Sequence, residues 1–411
     1  MRRSVVVTII KRVLLGALAA QIAVIIGLIG IDSWRKRVRS HRVSFPTTAP
    51  TDIPVDGTVA TVYTYGEDLY AAMLAAIRSA RHQILLESFI FKGDAVGQEF
   101  KRALIEAAER GVEVFVIYDG FANLVVPRRF FRFPPSVHVL RYPVFRPGVL
   151  LLNVRKSGRD HRKLLVVDGE TGFVGGYNIG SLYATDWRDT HLRLTGPDVW
   201  DLQNAFCDFW NSNRRDDQPR LDDSGTTRWN PRIRAHRNVP EQLVYPVRGM
   251  YLEAIDRAKH HIYITQAYFI PDHEILSGLI AAARRGVDVR LLLPETSNHV
   301  IADWLSRGFY TALLRGGVEL WLAKDAMVHA KTATIDGHWS TIGTANVDRM
   351  SLTGNYEINV EIFDDGVAAH MESVFANDRT NARRLTEGEW LRRPLVAKLS
   401  ELVLAPLRPL L

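Results

Sequence analysis

The two halves of the chain repeat one order of elements, and this repeat restricts the possible fold more than any other feature. A strand, a helix and a second strand are predicted at 84–91, at a helical run ending near 110 and at 111–119, and again at 261–272, 274–286 and 286–294. Two apolar strands joined by a helix are typical of a βαβ unit with a buried parallel sheet. The repeat therefore predicts an α/β protein with two homologous lobes.

A second repeat carries chemically reactive side chains. The segments HRKLLVVDG (161–169) and HAKTATIDG (329–337) share the spacing His-x-Lys-x4-Asp. In both halves an asparagine follows the histidine at one common distance, and an acidic residue follows it at another. The matched residues are His161, Lys163, Asp168, Asn178 and Asp189 in the first half and His329, Lys331, Asp336, Asn346 and Glu357 in the second. Matched positions of this kind indicate one site built twice rather than two unrelated surface histidines.

The local sequence predicts how each half assembles its part of this site. Histidine and lysine are two positions apart at the start of a strand, so they point to the same face. Each strand ends at Asp-Gly, a strong hairpin signal, and the returning strand brings the asparagine back beside the histidine. We group Asp168 and Asp336 with the catalytic set as motif members. We interpret them as shaping the turn and binding its backbone rather than touching substrate.

These residue types suit attack on a phosphodiester. One imidazole can attack phosphorus to form a phosphohistidine while the other protonates the leaving oxygen and later deprotonates the acceptor. The lysines and asparagines can stabilise the nonbridging oxygens of the transition state. Asp189 and Glu357 are each expected to accept the Nδ1 proton of the histidine in their own lobe. No metal or other cofactor is predicted, because lysine ammonium groups repel a cation.

The motifs resemble those of the phospholipase D superfamily, whose twin HxKxxxxD signature they match, and within it the bacterial cardiolipin synthases. The likeness extends from about 60 to 385 and includes GFVGGYNIG (172–180) and NYEINVEIF (355–363). It implies two lobes, each a mixed sheet flanked by helices, with pseudo-two-fold symmetry and one shared site. By the same analogy His161 is the nucleophile and His329 the acid/base, although the two motifs alone are symmetric. Two features differ from many relatives: a single apolar N-terminal stretch, and Thr344 where serine is common.

The N-terminal stretch 13–31 contains no charged residue. As a helix it would measure about 28 Å, close to the thickness of the bilayer hydrocarbon core. We interpret it as one transmembrane helix; a cleaved signal peptide and a buried core helix are the alternatives. The flanking basic residues are Arg2, Arg3, Lys11 and Arg12 before the stretch and Arg35, Lys36, Arg37, Arg39 and Arg42 after it. This slight excess favours a bacterial inner-membrane protein with its catalytic body on the cytoplasmic face.

The predicted organisation follows from these segments. It comprises a transmembrane helix (13–31), a basic linker (32–60), a first lobe (61–211), a linker (212–240), a second lobe (241–385) and a C-terminal tail (386–411). The tail is apolar enough to lie on a bilayer or to pack against the body. The single cysteine, Cys207, excludes an internal disulfide.

The predicted function is transfer of a phosphatidyl group between two phosphatidylglycerol molecules, giving cardiolipin and glycerol. The formal charge of +7 suits anionic membrane lipids and would also suit nucleic acid. The membrane segment argues against a nucleic-acid partner. Three alternatives remain: a phospholipase D that uses water as acceptor, a nuclease of the same superfamily, and a noncatalytic binding module. The oligomeric state does not follow from the sequence.

Overall fold

The computed structural model describes residues 2–38, 44–145, 158–222, 225 and 229–410. Each half of this part of the chain forms an eight-stranded mixed sheet flanked by helices. The two-lobed α/β fold predicted from the repeat is therefore confirmed.

The first lobe has the strand order β1-β2-β9-β7-β6-β3-β4-β5. Its strands are β1 (Asp52–Val55), β2 (Thr58–Tyr63), β3 (Gln83–Ser88), β4 (Glu113–Asp119), β5 (Val137–Tyr142), β6 (Lys163–Val167), β7 (Thr171–Gly175), the short β8 (Trp187–Arg188) and β9 (His191–Thr195). Its helices are α2 (Gly66–Ser79), α3 (Ala95–Glu109), α4 (Ser181–Thr185) and α5 (Trp200–Asn213). Strands β3, β4 and β5 are parallel, as a βαβ unit requires, and the hairpin β6–β7 joins them antiparallel.

The second lobe has the order β10-β19-β17-β16-β11-β13-β14-β20, in which the six strands from β19 to β14 match those from β9 to β5 of the first lobe. Its strands are β10 (Ile233–Arg237), β11 (His261–Gln266), the short β12 (Phe269–Ile270), β13 (Asp288–Pro294), β14 (Glu319–Ala323), the short β15 (Met327–Val328), β16 (Lys331–Ile335), β17 (Trp339–Gly343), the short β18 (Val347–Asp348), β19 (Ile358–Phe363) and β20 (Ala382–Leu385). Its helices are α6 (Pro246–Arg257), α7 (His273–Arg284), α8 (Val300–Arg315), α9 (Arg349–Thr353) and α10 (Asp365–Arg379). Strands β16 and β17 take the places in this sheet that β6 and β7 take in the first.

The two lobes share a hydrophobic core. Val174 and Leu192 of the first sheet belong to the same buried cluster as Ile342, Ile358 and Val360 of the second. Strands β7 and β9 therefore face β17 and β19, and the residues at their ends meet between the lobes.

Two edge strands lie in segments predicted as linkers. β1 begins at Asp52, and the turn to β2 is made by Asp56 and Gly57, both with positive φ. β10 pairs antiparallel with β19 in the second sheet, while the N–H of Ala235 donates to Asp201 of the first lobe. Short, partly exposed edge strands lack the apolar runs by which buried strands are recognised. The segment around β10 is thus part of the second sheet and also contacts the first lobe, in addition to linking the two lobes.

The N-terminal stretch lies within one long helix, α1 (Arg2–Val38). Leu28 is buried against Leu305 of α8 and Leu404 of a C-terminal helix, α12 (Leu395–Leu404), which follows the short α11 (Glu387–Leu391). Gln21 Nε2 also donates to the carbonyl of Val403, 3.3 Å away. Among the described residues, no helix combines the length and apolar character needed to cross a membrane.

Candidate active site

The two motif hairpins form as predicted. In the first, β6 and β7 are joined at Asp168 and Gly169, both with positive φ, and in the second β16 and β17 are joined at Asp336 and Gly337 in the same conformation. Each motif strand begins at its lysine. Each histidine therefore stands just before its strand, at the end of the sheet that faces the other lobe.

The carboxylate that orients each histidine comes from the opposite lobe. His161 Nδ1 lies 2.9 and 3.0 Å from the two oxygens of Glu357, and His329 Nδ1 lies 2.6 Å from Asp189 Oδ2. The prediction that each histidine pairs with the acid of its own lobe is therefore wrong. The two His–carboxylate pairs are interlocked across the lobe interface.

Backbone pairing between the lobes explains this exchange. β15 pairs in parallel with β8, and the N–H of His329 donates to the carbonyl of Arg188, 2.7 Å away. In the other half the N–H of His161 donates to the carbonyl of Tyr356, 3.1 Å away. The residue after each carbonyl is the orienting acid. Main-chain pairing thus places each carboxylate beside the histidine of the opposite lobe.

The two carboxylates are buried and held differently. Thr344 Oγ1 donates to Glu357 Oε2 at 2.5 Å, so the threonine hydroxyl is part of the site. Gly176 stands at the equivalent position of the first lobe, and a Cβ there would lie 2.0 Å from Asp189 Oδ1. The first lobe therefore needs glycine where the second uses threonine, because Asp189 occupies that space.

Both motif lysines are buried and point at the same region. Lys163 Nζ donates to the carbonyl of His161 at 2.5 Å, and Lys331 Nζ donates to the carbonyl of His329. Burial lowers the pKa of Lys163 to about 7 and that of Lys331 to about 8. An anion entering the site would restore the full charge of both lysines.

Both histidines are neutral at neutral pH in the unliganded site. Burial lowers the pKa of His161 well below its ordinary value, and Lys163 and Lys331 lower it further. Burial followed by Lys331 lowers the pKa of His329 to about 3. Each Nδ1 faces an acidic side chain, so the ring proton lies on Nδ1 when that side chain is ionised. Each Nε2 then carries a lone pair that is free for chemistry.

The two dyads differ in charge. Burial acts to raise the pKa of Asp189, but His329 and Lys331 outweigh it, so the pKa falls below its ordinary value. For Glu357 burial dominates and raises the pKa to about 8. Asp189 is therefore an ionised carboxylate beside His329, whereas Glu357 must release its proton before it can accept the Nδ1–H of His161.

The two asparagines are not equivalent either. Asn178 Oδ1 accepts the N–H of Ile90 at 3.0 Å, which leaves the amide nitrogen as the group that can donate. Asn346 is 4% exposed, and its Oδ1 has no hydrogen-bond partner among the described residues. Both were predicted to bind substrate oxygens, and that role stays a prediction.

Asp168 and Asp336 lie away from this cluster. Asp168 accepts the N–H groups of Arg81, His82 and Gln83, and Asp336 accepts those of Lys259, His260 and His261. A five-residue strand, about 16 Å long, separates each aspartate from its lysine. Their geometry is that of backbone anchors for the hairpin, as we interpreted them, and does not support a catalytic role.

Aromatic rings that the motifs did not indicate surround both histidines. The ring of Phe89 lies 4.6 Å from that of His161, and the rings of Trp187 and Tyr268 lie 4.7 and 6.2 Å from that of His329. Phe89 directly follows β3, and Trp187 lies two residues before Asp189. Their closeness in sequence to a predicted strand and to a predicted site residue could have indicated that they line the site. These rings cover part of each imidazole and restrict how the imidazoles can rotate.

Both halves of the chain are similar to a known protein family. Residues 73–210 and 251–379 match the family model described as "Cardiolipin synthase, PLD-like domain". The chain belongs to this family. It is 33% identical to the major cardiolipin synthase ClsA of Bacillus subtilis over 85% of this chain and 75% of that protein. It is also 33% identical to cardiolipin synthase 2 of Staphylococcus epidermidis over 85% of this chain and 74% of the relative.

Solved structures support the fold. The phosphatidylserine synthase of Haemophilus influenzae superposes with a TM-score of 0.65 at 14% identity, over 89% of this chain and 94% of that one. The polyphosphate kinase of Porphyromonas gingivalis superposes with a TM-score of 0.53 at 16% identity, over 86% of this chain and 53% of that one. At these identities the likeness shows the two-lobed fold alone.

Proposed function

We propose that this protein is a cardiolipin synthase that transfers a phosphatidyl group from one phosphatidylglycerol to the hydroxyl of a second, releasing glycerol. The observation that carries the proposal is the pair of interlocked His–carboxylate dyads between two buried lysines. Such a site offers a nucleophile, an acid/base and positive charge for one phosphodiester. The similarity to curated cardiolipin synthases supports the choice of substrate.

In the first step His161 Nε2 attacks phosphorus and the bond from phosphorus to the glycerol oxygen breaks. The protonated Nε2 of His329 gives its proton to that oxygen, so glycerol leaves as an alcohol. His329 acquires this proton when the anionic substrate binds, because a nearby negative charge raises the pKa of an imidazole. The ionised Asp189 stabilises the imidazolium, which supports His329 as acid/base and His161 as nucleophile.

In the second step the glycerol hydroxyl of another phosphatidylglycerol attacks phosphorus. His329 Nε2 accepts the proton of that hydroxyl, the bond from phosphorus to His161 breaks, and cardiolipin leaves. Lys163, Lys331 and the two asparagine amides stabilise the charge on the nonbridging oxygens in both steps. No cofactor takes part in this scheme.

Lipid analysis of the purified full-length protein tests the function. Wild type incubated with phosphatidylglycerol vesicles is expected to form cardiolipin and glycerol in equal amounts. His161→Ala and His329→Ala are each expected to lose this activity. His338→Ala is the matched control, because this histidine is exposed beside the far end of its hairpin. Phosphatidic acid as the main product would instead indicate a hydrolase, and cleavage of DNA without lipid turnover would indicate a nuclease.

We further propose that α1 and α12 attach the enzyme to the bacterial inner membrane from the cytoplasmic side, with the stretch 13–31 as the inserted segment. Leu15, Leu18, Ile22, Ile26 and Ile29 are exposed along one side of α1. α12 also turns an apolar face outward, formed by Leu395, Val396, Leu399 and Leu402, which are 60 to 75% exposed. Contiguous exposed apolar surface of this kind is typical of contact with a bilayer.

Flotation of full-length protein with phosphatidylglycerol-containing vesicles tests this attachment. The variants Ile22→Asp/Ile26→Asp and Leu399→Asp/Leu402→Asp are expected to float several-fold less than wild type, with unchanged melting temperature. Val244→Asp, on an exposed turn outside both helices, is the control. Undiminished flotation of both double variants would contradict the proposal.

A further inference from the structure

A buried ion pair joins the two lobes directly behind one dyad. Arg188 of the first lobe is 1% exposed and Asp378 of α10 in the second lobe is 5% exposed. Arg188 Nε lies 2.7 Å from Asp378 Oδ1, and Nη2 lies 2.6 Å from Oδ2. This is a bidentate, charge-assisted contact, which fixes the guanidinium in direction as well as in distance.

The same arginine contacts both members of the neighbouring dyad. Its Nη1 donates to the carbonyl of Asp189 and, at 2.9 Å, to Thr190 Oγ1. Its own carbonyl accepts the N–H of His329 at 2.7 Å. Asp378 therefore fixes the Arg188 side chain, and Arg188 in turn binds the main chain of both Asp189 and His329.

Behind the other dyad, the described residues form no ion pair between the lobes. Tyr356 is the counterpart of Arg188 in the second repeat, and its carbonyl accepts the N–H of His161. Its ring packs at 4.9 Å from Phe209 and 6.1 Å from Tyr142, and the counterpart of Asp378 in the first repeat is Trp210. The fold thus tolerates aromatic packing at this place. A buried ion pair adds little stability compared with apolar packing, so stability alone does not account for Arg188 and Asp378.

We infer that Arg188 and Asp378 are positioning residues that hold Asp189 and His329 in register across the lobe interface. The ion pair does not contact the substrate. It acts through the backbone of Asp189 and His329, which are the residues that form the dyad. The expected effect of this pair on turnover rests on the proposed function, in which His329 is the acid/base. The expected effect on the position of His329 does not depend on that function.

Kinetics of designed variants test the inference. Asp378→Asn is expected to lower kcat about 10- to 100-fold, by analogy with residues that orient metal-binding histidines, with KM unchanged. The double variant Arg188→Met/Asp378→Leu replaces the pair by apolar side chains and should keep the melting temperature of wild type while losing kcat. Asp208→Asn on α5, which breaks an exposed ion pair with Arg237 of β10, is the matched control. A double variant with full kcat, or a kcat loss equal to the loss of folded protein, would overturn the inference.

A second readout needs no substrate. The rate at which diethyl pyrocarbonate modifies His329 and His161 can be followed separately by peptide mass spectrometry. In Asp378→Asn the modification of His329 is expected to accelerate several-fold while that of His161 stays unchanged, and Asp208→Asn should alter neither. Equal acceleration of both histidines, or of neither, would overturn the inference. A wild-type enzyme that forms no cardiolipin would instead contradict only the proposed function.

Discussion

Gly176 shows at the level of one residue how closely the two dyads are packed. An added Cβ would lie 2.0 Å from Asp189 Oδ1, so Gly176→Ala must displace the carboxylate that orients His329. We expect kcat to fall about 10- to 100-fold, and the free energy of unfolding to fall by about 1–3 kcal/mol from overpacking. Steady-state kinetics and thermal unfolding measure the two effects.

The control for this substitution is Gly249→Ala. Gly249 lies inside α6 with no atom within 4 Å of an added Cβ. Alanine should therefore raise stability by up to about 1 kcal/mol through helix propensity and leave kcat unchanged. Full activity in Gly176→Ala would show that Asp189 can occupy another position.

The buried lysines predict a dependence on pH. The pKa values of Lys163 and Lys331 are lowered to about 7 and about 8, so both ammonium groups lose their charge as the pH rises through this window. The unliganded enzyme then binds the anionic phosphodiester less well, and kcat/KM should fall as the pH rises above about 7. In the complex the substrate anion raises both pKa values, so kcat should persist to higher pH. Profiles in which kcat and kcat/KM fall together would contradict this account.

At the residue scale the sequence predicted which side chains form the site but not how they pair. Asp189 follows His161 at the same spacing as Glu357 follows His329. This spacing does not reveal whether a histidine binds the acid of its own lobe or that of the other lobe. The exchange arises from main-chain pairing between β8 and β15 and between Asp160 and Tyr356. Such contacts between distant segments leave no periodic pattern in the sequence.

At the scale of elements, the motif hairpin is anchored by its aspartate. Asp168→Asn keeps a side chain that tolerates positive φ but removes the charge and one acceptor from three backbone N–H groups. We expect a loss of about 1–2 kcal/mol in the free energy of unfolding. The kcat of the folded fraction should stay near that of wild type, because the aspartate lies a whole strand away from Lys163.

Urea unfolding and active-site titration of Asp168→Asn separate these two quantities. Asp217→Asn, which removes a charge from an exposed ion pair with Arg215, serves as control. A kcat loss comparable to that of His161→Ala would restore Asp168 to the catalytic set.

Periodicity predicted buried elements well and exposed edges poorly. The strand and helix patterns of the repeat correspond to β3, α3 and β4 and to β11, α7 and β13 because a buried parallel sheet requires continuous apolar runs. β1 and β10 are short edge strands with mixed exposure, so their sequences look like linkers. Apolar periodicity alone therefore does not indicate that β1 and β10 belong to the sheets.

For the whole molecule, the interlocked dyads predict that both motifs must work in the same chain. Mixing purified His161→Ala with His329→Ala should restore no activity, because each variant lacks a histidine that its partner cannot supply across two closed lobes. Cardiolipin formation by the mixture is measured against each variant alone. Recovery of a substantial fraction of wild-type activity would indicate exchange of lobes between chains.

The crossing of each acid to the opposite lobe has an evolutionary consequence. A single ancestral lobe with this geometry would carry a histidine without its orienting carboxylate, so it could work only face to face with a copy of itself. Fusion of two copies would make that encounter permanent and would free each half to diverge, but only in matched steps. Aspartate with glycine in one half and glutamate with threonine in the other are two such matched pairs, each serving the histidine of the opposite half.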